Sequence, residues 1–185
     1  MVAQKSSAIF TERTRSVQTV VVEAKDLAAV FEYAADLTVR QGCSSIAAPG
    51  IQGKERAELS ELCKARNLEL LTENLRQKAG VIGTGLTGAA WAIAETGTLV
   101  IDSKSEDLRL ASMLCDTHVA FVKKSRIVPN ADAIEDELSQ MLQASSGYLA
   151  FVSGASRTAD IERVLTIGVH GPRELHVLLL GEDAK

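Results

Sequence analysis

Aromatic side chains make up only 4% of this 185-residue chain, so its interior cannot be built around stacked rings. Apolar residues still reach 46%, enough to close one core of ordinary domain size with Ala, Val and Leu on closely approaching elements. Cysteine is confined to Cys43, Cys63 and Cys115, with no C-x-x-C pair, which excludes a disulfide framework and a thiolate metal cluster and leaves buried thiols as the reading. His118, His170 and His176 have no partner four residues away, so no metal site is indicated. Basic charge is not in excess either: 20 Lys and Arg against 24 Asp and Glu give a formal −4, which removes the electrostatic reason to hold nucleic acid. No run of eighteen apolar residues occurs, and the N-terminal segment lacks the apolar stretch of a signal peptide. A cytoplasmic protein without a membrane span is expected.

What is present is an alternation of strand-like and helix-like segments. Residues 1–16 are polar and without clear period, which predicts a flexible N-terminal arm or a segment that orders only against a partner, and residues 17–185 read as a single domain. Val20, Val21 and Val22 predict a buried strand. Asp26 then stands as an N-cap before Leu27, Val30, Phe31, Ala34 and Leu37, the stripe of an amphipathic helix that stops near Gly42. Ser44 to Ala48 reads as a strand, Lys54 to Arg66 as a second helix and Leu68 to Leu71 as a third strand. Short apolar runs at Leu99–Ile101, Val119–Val122, Leu149–Val152 and Leu175–Leu180 predict further strands. Between them, Ser105 to Leu114 forms a short helix and Asn130 caps another carrying Ile134, Leu138, Met141 and Leu142 on one stripe. The fold class is therefore α/β, a layered and mostly parallel sheet flanked by helices.

Four glycine-containing segments carry polar groups suited to chemistry. Gly83-Thr84-Gly85-Leu86-Thr87-Gly88 formally matches G-x-G-x-x-G, but Thr96-Gly97-Thr98 breaks the long helix that a dinucleotide fold requires. The alternatives are a flexible turn joining strands, or a loop whose amides, with Thr87 beside Gly85 and Gly88, bind a small anion. Glu95, before Thr96 and Gly97, is a lone carboxylate that serves proton transfer if buried and is merely solvated at an element's edge. Ser153-Gly154-Ala155-Ser156-Arg157-Thr158-Ala159-Asp160 follows an apolar strand, which places it where ligands sit in α/β folds. Ser156 or Thr158 can cap a following helix, and Arg157 can hold a carboxylate bidentately unless Asp160 pairs with it. His170, on the turn before Gly171-Pro172, can present its imidazole to a ligand, whereas His176 lies inside an apolar strand.

Taken together, Gly88-Ala89, Ala92-Ile93-Ala94-Glu95-Thr96-Gly97-Thr98, Ser153 to Glu162 and Gly168-Val169-His170-Gly171-Pro172 resemble the lactate utilization protein C family, the LUD domain. The likeness covers about half the chain, from Gly83 to Leu180. It implies a layered α/β fold similar to the CoA transferase, ribose-phosphate isomerase and glucosamine-phosphate deaminase group. It further implies a part in oxidising L-lactate to pyruvate beside partner proteins that hold iron–sulfur clusters. No cofactor is expected on this chain, since its side chains cannot accept the two electrons that lactate gives up.

On this reading the chain is a substrate-handling subunit. Arg157, Ser153, Ser156 and the amides near Gly154 hold a small carboxylate, with Gly85, Thr87, Gly88, Thr96, Gly97, Asp160 and Gly171 assisting, and Glu95 or His170 moving a proton. Two other classes compete: a non-catalytic module that docks the iron–sulfur partners, and an acyl or CoA transferase using Glu95 as nucleophile.

Overall fold

The structure, a computed structural model, describes residues 2–143, 147–159 and 163–181. The chain begins with α1 (Val2–Ser16) and continues into β1 (Val20–Ala24) and α2 (Leu27–Arg40). Asp26 caps α2 as its position predicts, its carboxylate accepting the Ala29 amide hydrogen at 2.8 Å. The Val30, Phe31, Ala34 and Leu37 stripe faces inward. β2 (Ser45–Ala47), α3 (Gly53–Ala65) and β3 (Glu69–Leu71) keep the predicted rhythm. After 3-10 turns at Leu75–Val81 come β4 (Thr84–Gly88), β5 (Trp91–Ile93), β6 (Thr98–Asp102), α4 (Glu106–Met113), β7 (Thr117–Lys123) and β8 (Ile127–Val128). Asn130 accepts the Ala133 amide hydrogen at 3.2 Å and opens a 3-10 turn that runs into α5 (Glu135–Gln143). The chain then forms β9 (Leu149–Val152), β10 (Arg157–Thr158), β11 (Thr166–Ile167) and β12 (Glu174–Leu180).

Six strands pair in the order β1-β12-β7-β4-β2-β3, every pair parallel. Both faces are covered, which is why the central strands are continuous apolar runs and not alternating ones. α2 and α3 cover one face against Ile46, Leu86, Val119 and Leu178. On the other face lies a four-stranded sheet, β8-β5-β6-β9, whose Ala92, Leu99 and Ile101 meet Ala120, Val177 and Leu179. The molecule is thus helices, parallel sheet and a smaller mixed sheet in three layers. No helix among the described residues is long and apolar enough to cross a membrane.

The N-terminal segment departs from its prediction. It is the helix α1, and its Ser6, Phe10 and Thr14, four residues apart, are buried, Phe10 completely and inside the second core. Two of those three inward positions are hydroxyls, so the apolar period that marks a helix never forms in the sequence.

The glycine-rich segment at 83–88 also departs: it is no turn but the buried strand β4, fourth in the sheet. A side chain at Gly85 would overlap the Ala111 carbonyl oxygen, so glycine is what lets α4 lie directly on the strand. The strand's hydroxyls are satisfied internally, Thr84 with Thr38 at 2.7 Å and Thr87 with His118 Nε2 at 2.7 Å.

Candidate functional site

Two of the four motif segments meet. Arg157 and Thr158 do not start a helix; they pair antiparallel with Ile167 and Thr166 as a two-stranded ribbon. That ribbon draws the segment after β9 against the segment before β12: the Ser156 amide donates to the Pro172 carbonyl at 2.9 Å, and the Gly168 amide to the Ser156 carbonyl at 2.9 Å. Gly171 lies so close that a Cβ there would stand 3.2 Å from Ser156 Cβ. Between them opens a cleft of about 300 Å³ whose polar walls are Ser153, Ser156, His170, Ser112 and Arg109. Met113, Tyr148 and Phe151 supply its apolar side.

The cation of the cleft is not the one the sequence suggests. Arg157 is turned toward α1's exit, where it donates to the Val17 carbonyl and to Gln18 Oε1, the latter at 3.2 Å. It lines a neighbouring hollow with Arg173 and Glu174. Arg109, from α4, takes its place. Its guanidinium donates to the carbonyls of Ser103 at 2.6 Å and Lys104 at 3.3 Å and lies 5.3 Å from the Tyr148 ring centre. Among the described residues no carboxylate neutralises it, and it is half-buried. The sequence signal for Arg109 was faint, a lone basic residue on a short helix, and only the packing of α4 on β4 and β7, with Arg109 beside Tyr148, brings it to the cleft.

The second motif reaches the cleft indirectly. Thr96, Thr98 and Ser153 form a chain of hydroxyls, 2.7 Å and 2.6 Å apart, linking the β5–β6 turn to the cleft wall. Gly97 in that turn adopts φ +63° and lies against the backbone of Thr14 in α1. Glu95 is exposed on the same turn, its amide bonded to the Pro129 carbonyl at 3.1 Å, and it does not line the cleft. The first motif stays apart: Gly85 and Thr87 are inside the sheet, and Gly88 ends β4 elsewhere. Asp160 lies outside the described residues.

The cleft also lies at the end of the parallel sheet opposite to the usual one. The Arg173 amide bonds the Asp116 carbonyl at 2.8 Å, which fixes the 168–172 segment beside the amino ends of β7 and β12. The strand preceding Ser153, β9, belongs to the smaller sheet, so the carboxyl-end rule for parallel sheets does not govern this position.

The remaining reactive groups are held quiet. Burial pushes the thiols of Cys63 and Cys115 up to about 11 and about 12, and raises that of Cys43. Burial pulls His118 down to about 4, so its imidazole is neutral and hydrogen-bonded to Thr87. His176 is bonded at both ring nitrogens, to Tyr33 at 2.7 Å and Glu174 at 2.9 Å, as a satisfied core residue.

The layered architecture has a solved counterpart. A crystal structure of a DUF162 family protein from Deinococcus radiodurans superposes with a TM-score of 0.69 over 98% of this chain and 99% of that one, at 20% identity. At that identity the likeness speaks for the fold.

The sequence model of the LUD domain matches residues 8–180, and the chain belongs to the LUD domain family. Among its relatives is lactate utilization protein C of Deinococcus radiodurans, 39% identical over 98 residues, which are 52% of this chain and 45% of that protein. Lactate utilization protein C of Bacillus subtilis is 34% identical over 113 residues, 60% of this chain and 47% of that protein. The match thus spans about half the length of these relatives.

Proposed function

We propose that this chain is a substrate-handling subunit of an L-lactate utilization system, holding a small carboxylate such as lactate in the cleft between β9 and β12. One observation carries the reading: Arg109, half-buried and without a carboxylate partner among the described residues, lines a cleft that also presents Ser153, Ser156 and His170. A carboxylate is the ligand such a group selects, by charge-assisted hydrogen bonds of about 1.5–3 kcal/mol each. Ser153 and Ser156 stand on the wall where a hydroxyl next to that carboxylate would lie, and His170 takes its proton. Oxidation to pyruvate also breaks the Cα–H bond: its proton passes to water, and the two electrons go to iron–sulfur partner proteins of the kind the family resemblance implies.

A docking role is the second reading, and a surface feature favours it. Tyr148 and Phe151 at the cleft mouth are both 54% exposed, and Val164 and Leu165 nearby in sequence to the β10–β11 ribbon are 59% and 64% exposed. In both readings that surface meets the partner. The two separate on the cleft itself.

The experiment mixes purified chain with its iron–sulfur partners and follows lactate oxidation with an artificial electron acceptor. Arg109→Ala and His170→Ala lower turnover at least tenfold, while Arg157→Ala and Glu95→Gln stay within about twofold of wild type. Full activity in Arg109→Ala and His170→Ala would leave docking as the role. Turnover by the isolated chain would refute the subunit reading altogether.

A further inference from the structure

A second opening lies at the other end of the parallel sheet. β4, β7 and β12 are neighbours and end at Gly88, Lys123 and Leu180. Where they end, a crevice of about 370 Å³ is lined by Ala89, Ala90, Trp91, Phe121, Lys123 and Arg126 among others. This is the edge at which open parallel sheets present ligands, and it is separate from the cleft proposed to hold the carboxylate.

Its chemistry is distinctive. The Arg126 guanidinium lies over the Trp91 ring, 4.4 Å from its centre. Among the described residues the guanidinium has no hydrogen-bond acceptor, which leaves its N–H donors for an anion. Lys123 stands on the same rim. Among the described residues neither cation has an acidic partner, whereas the adjoining Lys124 is paired with Glu23 at 2.7 Å. The floor is apolar and partly aromatic, with Phe121 lying against Gly88, where a Cβ would stand 3.0 Å from the ring. The amides of Ala89 and Ala90 are already bonded to the carbonyls of Phe121 and Val100, both at 2.8 Å, so an anion here is read by side chains.

We propose that this crevice binds a phosphate monoester carried on a flat ring, with Arg126 and Lys123 holding the phosphate and the Trp91–Phe121 floor receiving the ring. Two adjacent unpaired cations match a dianion better than a singly charged carboxylate. An aromatic-lined floor rewards a planar body, because stacking needs a π-face and no particular hydrogen-bond pattern.

Trp91 is the one tryptophan of the chain, so its fluorescence reports this crevice alone. The full-length protein is titrated with adenosine monophosphate, with adenosine and with inorganic phosphate. The expected result is a saturable change in emission with the monophosphate, and binding at least tenfold weaker for adenosine and for inorganic phosphate. Arg126→Gln, which keeps the indole, weakens monophosphate binding at least tenfold and Lys123→Gln several-fold, with unchanged circular dichroism. Calorimetry repeats the titration, because the substitution at Arg126 alters the fluorophore's surroundings. The proposal is overturned if the monophosphate does not saturate, if adenosine or phosphate alone binds as tightly, or if Arg126→Gln binds like wild type.

Discussion

The parallel sheet and the segments that frame the cleft use the same residue types, glycine, serine, threonine and histidine, to opposite ends. In β4 and β7 these residues are buried and bonded to one another, Thr84 with Thr38 and Thr87 with His118. In the segments 153–156 and 168–172 backbone bonds join the two segments, Ser153 adds a side-chain bond to Thr98, and His170 is left exposed at the cleft wall. The difference is one of solvent. A polar group taken fully out of water must find an internal partner and no ligand can reach it, whereas one at a cleft wall keeps bonding capacity for a ligand. Glycine follows the same divide: at Gly85 it admits α4, and at Gly154 it permits a φ of +96°.

Substitutions on each side should show this contrast as a gradient. The largest effect belongs to Gly85→Val, which forces a side chain into the Ala111 carbonyl and Cys115, and is expected to cost about 4 kcal/mol or more, read as a fall in denaturation midpoint. Next is the pH response of the buried histidine. His118 titrates at about 4 when folded against its ordinary 6.5, so its contribution is fully present above 6.5 and is lost as pH falls toward 4. The loss amounts to about 3 kcal/mol, and urea unfolding over a pH series checks it: wild type carries that slope and His118→Gln does not. Asp26→Ala removes the cap of α2 and is expected to cost about 1 kcal/mol in the same assay. Smallest is Gly154→Ala, which strains an exposed turn by about 1 kcal/mol or less and leaves the sheet intact. Equal losses at Gly85 and Gly154 would erase the distinction between the two regions.

Legibility followed the same divide. α2 could be read residue by residue because a cap, an apolar stripe and a glycine stop all agree locally. β7 and β12 were equally plain, since strands covered on both faces become apolar runs. α1 was hidden because its inward side is Ser6, Phe10 and Thr14, and β4 because its glycines and threonines look like a turn until α4 is placed on top of them. Of the candidate site, the sequence reading put the motif turns into one pocket; 153–156 and 168–172 do meet, through the β10–β11 ribbon, whereas Gly85 and Thr87 stay inside the sheet and Glu95 stands outside the cleft. Arg109 was missed and Arg157 chosen because proximity in sequence to a serine-rich turn says nothing about which cation faces it.

By itself the sequence determined the elements whose signals are local: the capped helix, the apolar strands and the layered α/β class they compose. The tertiary structure alone decided which side chains share a cavity, because that depends on contacts between residues far apart in the chain. Sixty residues separate Arg109 from His170, and no periodicity spans that distance. Only the packing of α4 on the parallel sheet and the pairing of the ribbon do, and the packing is driven by burial of apolar surface that carries no information about which cation ends up at the rim.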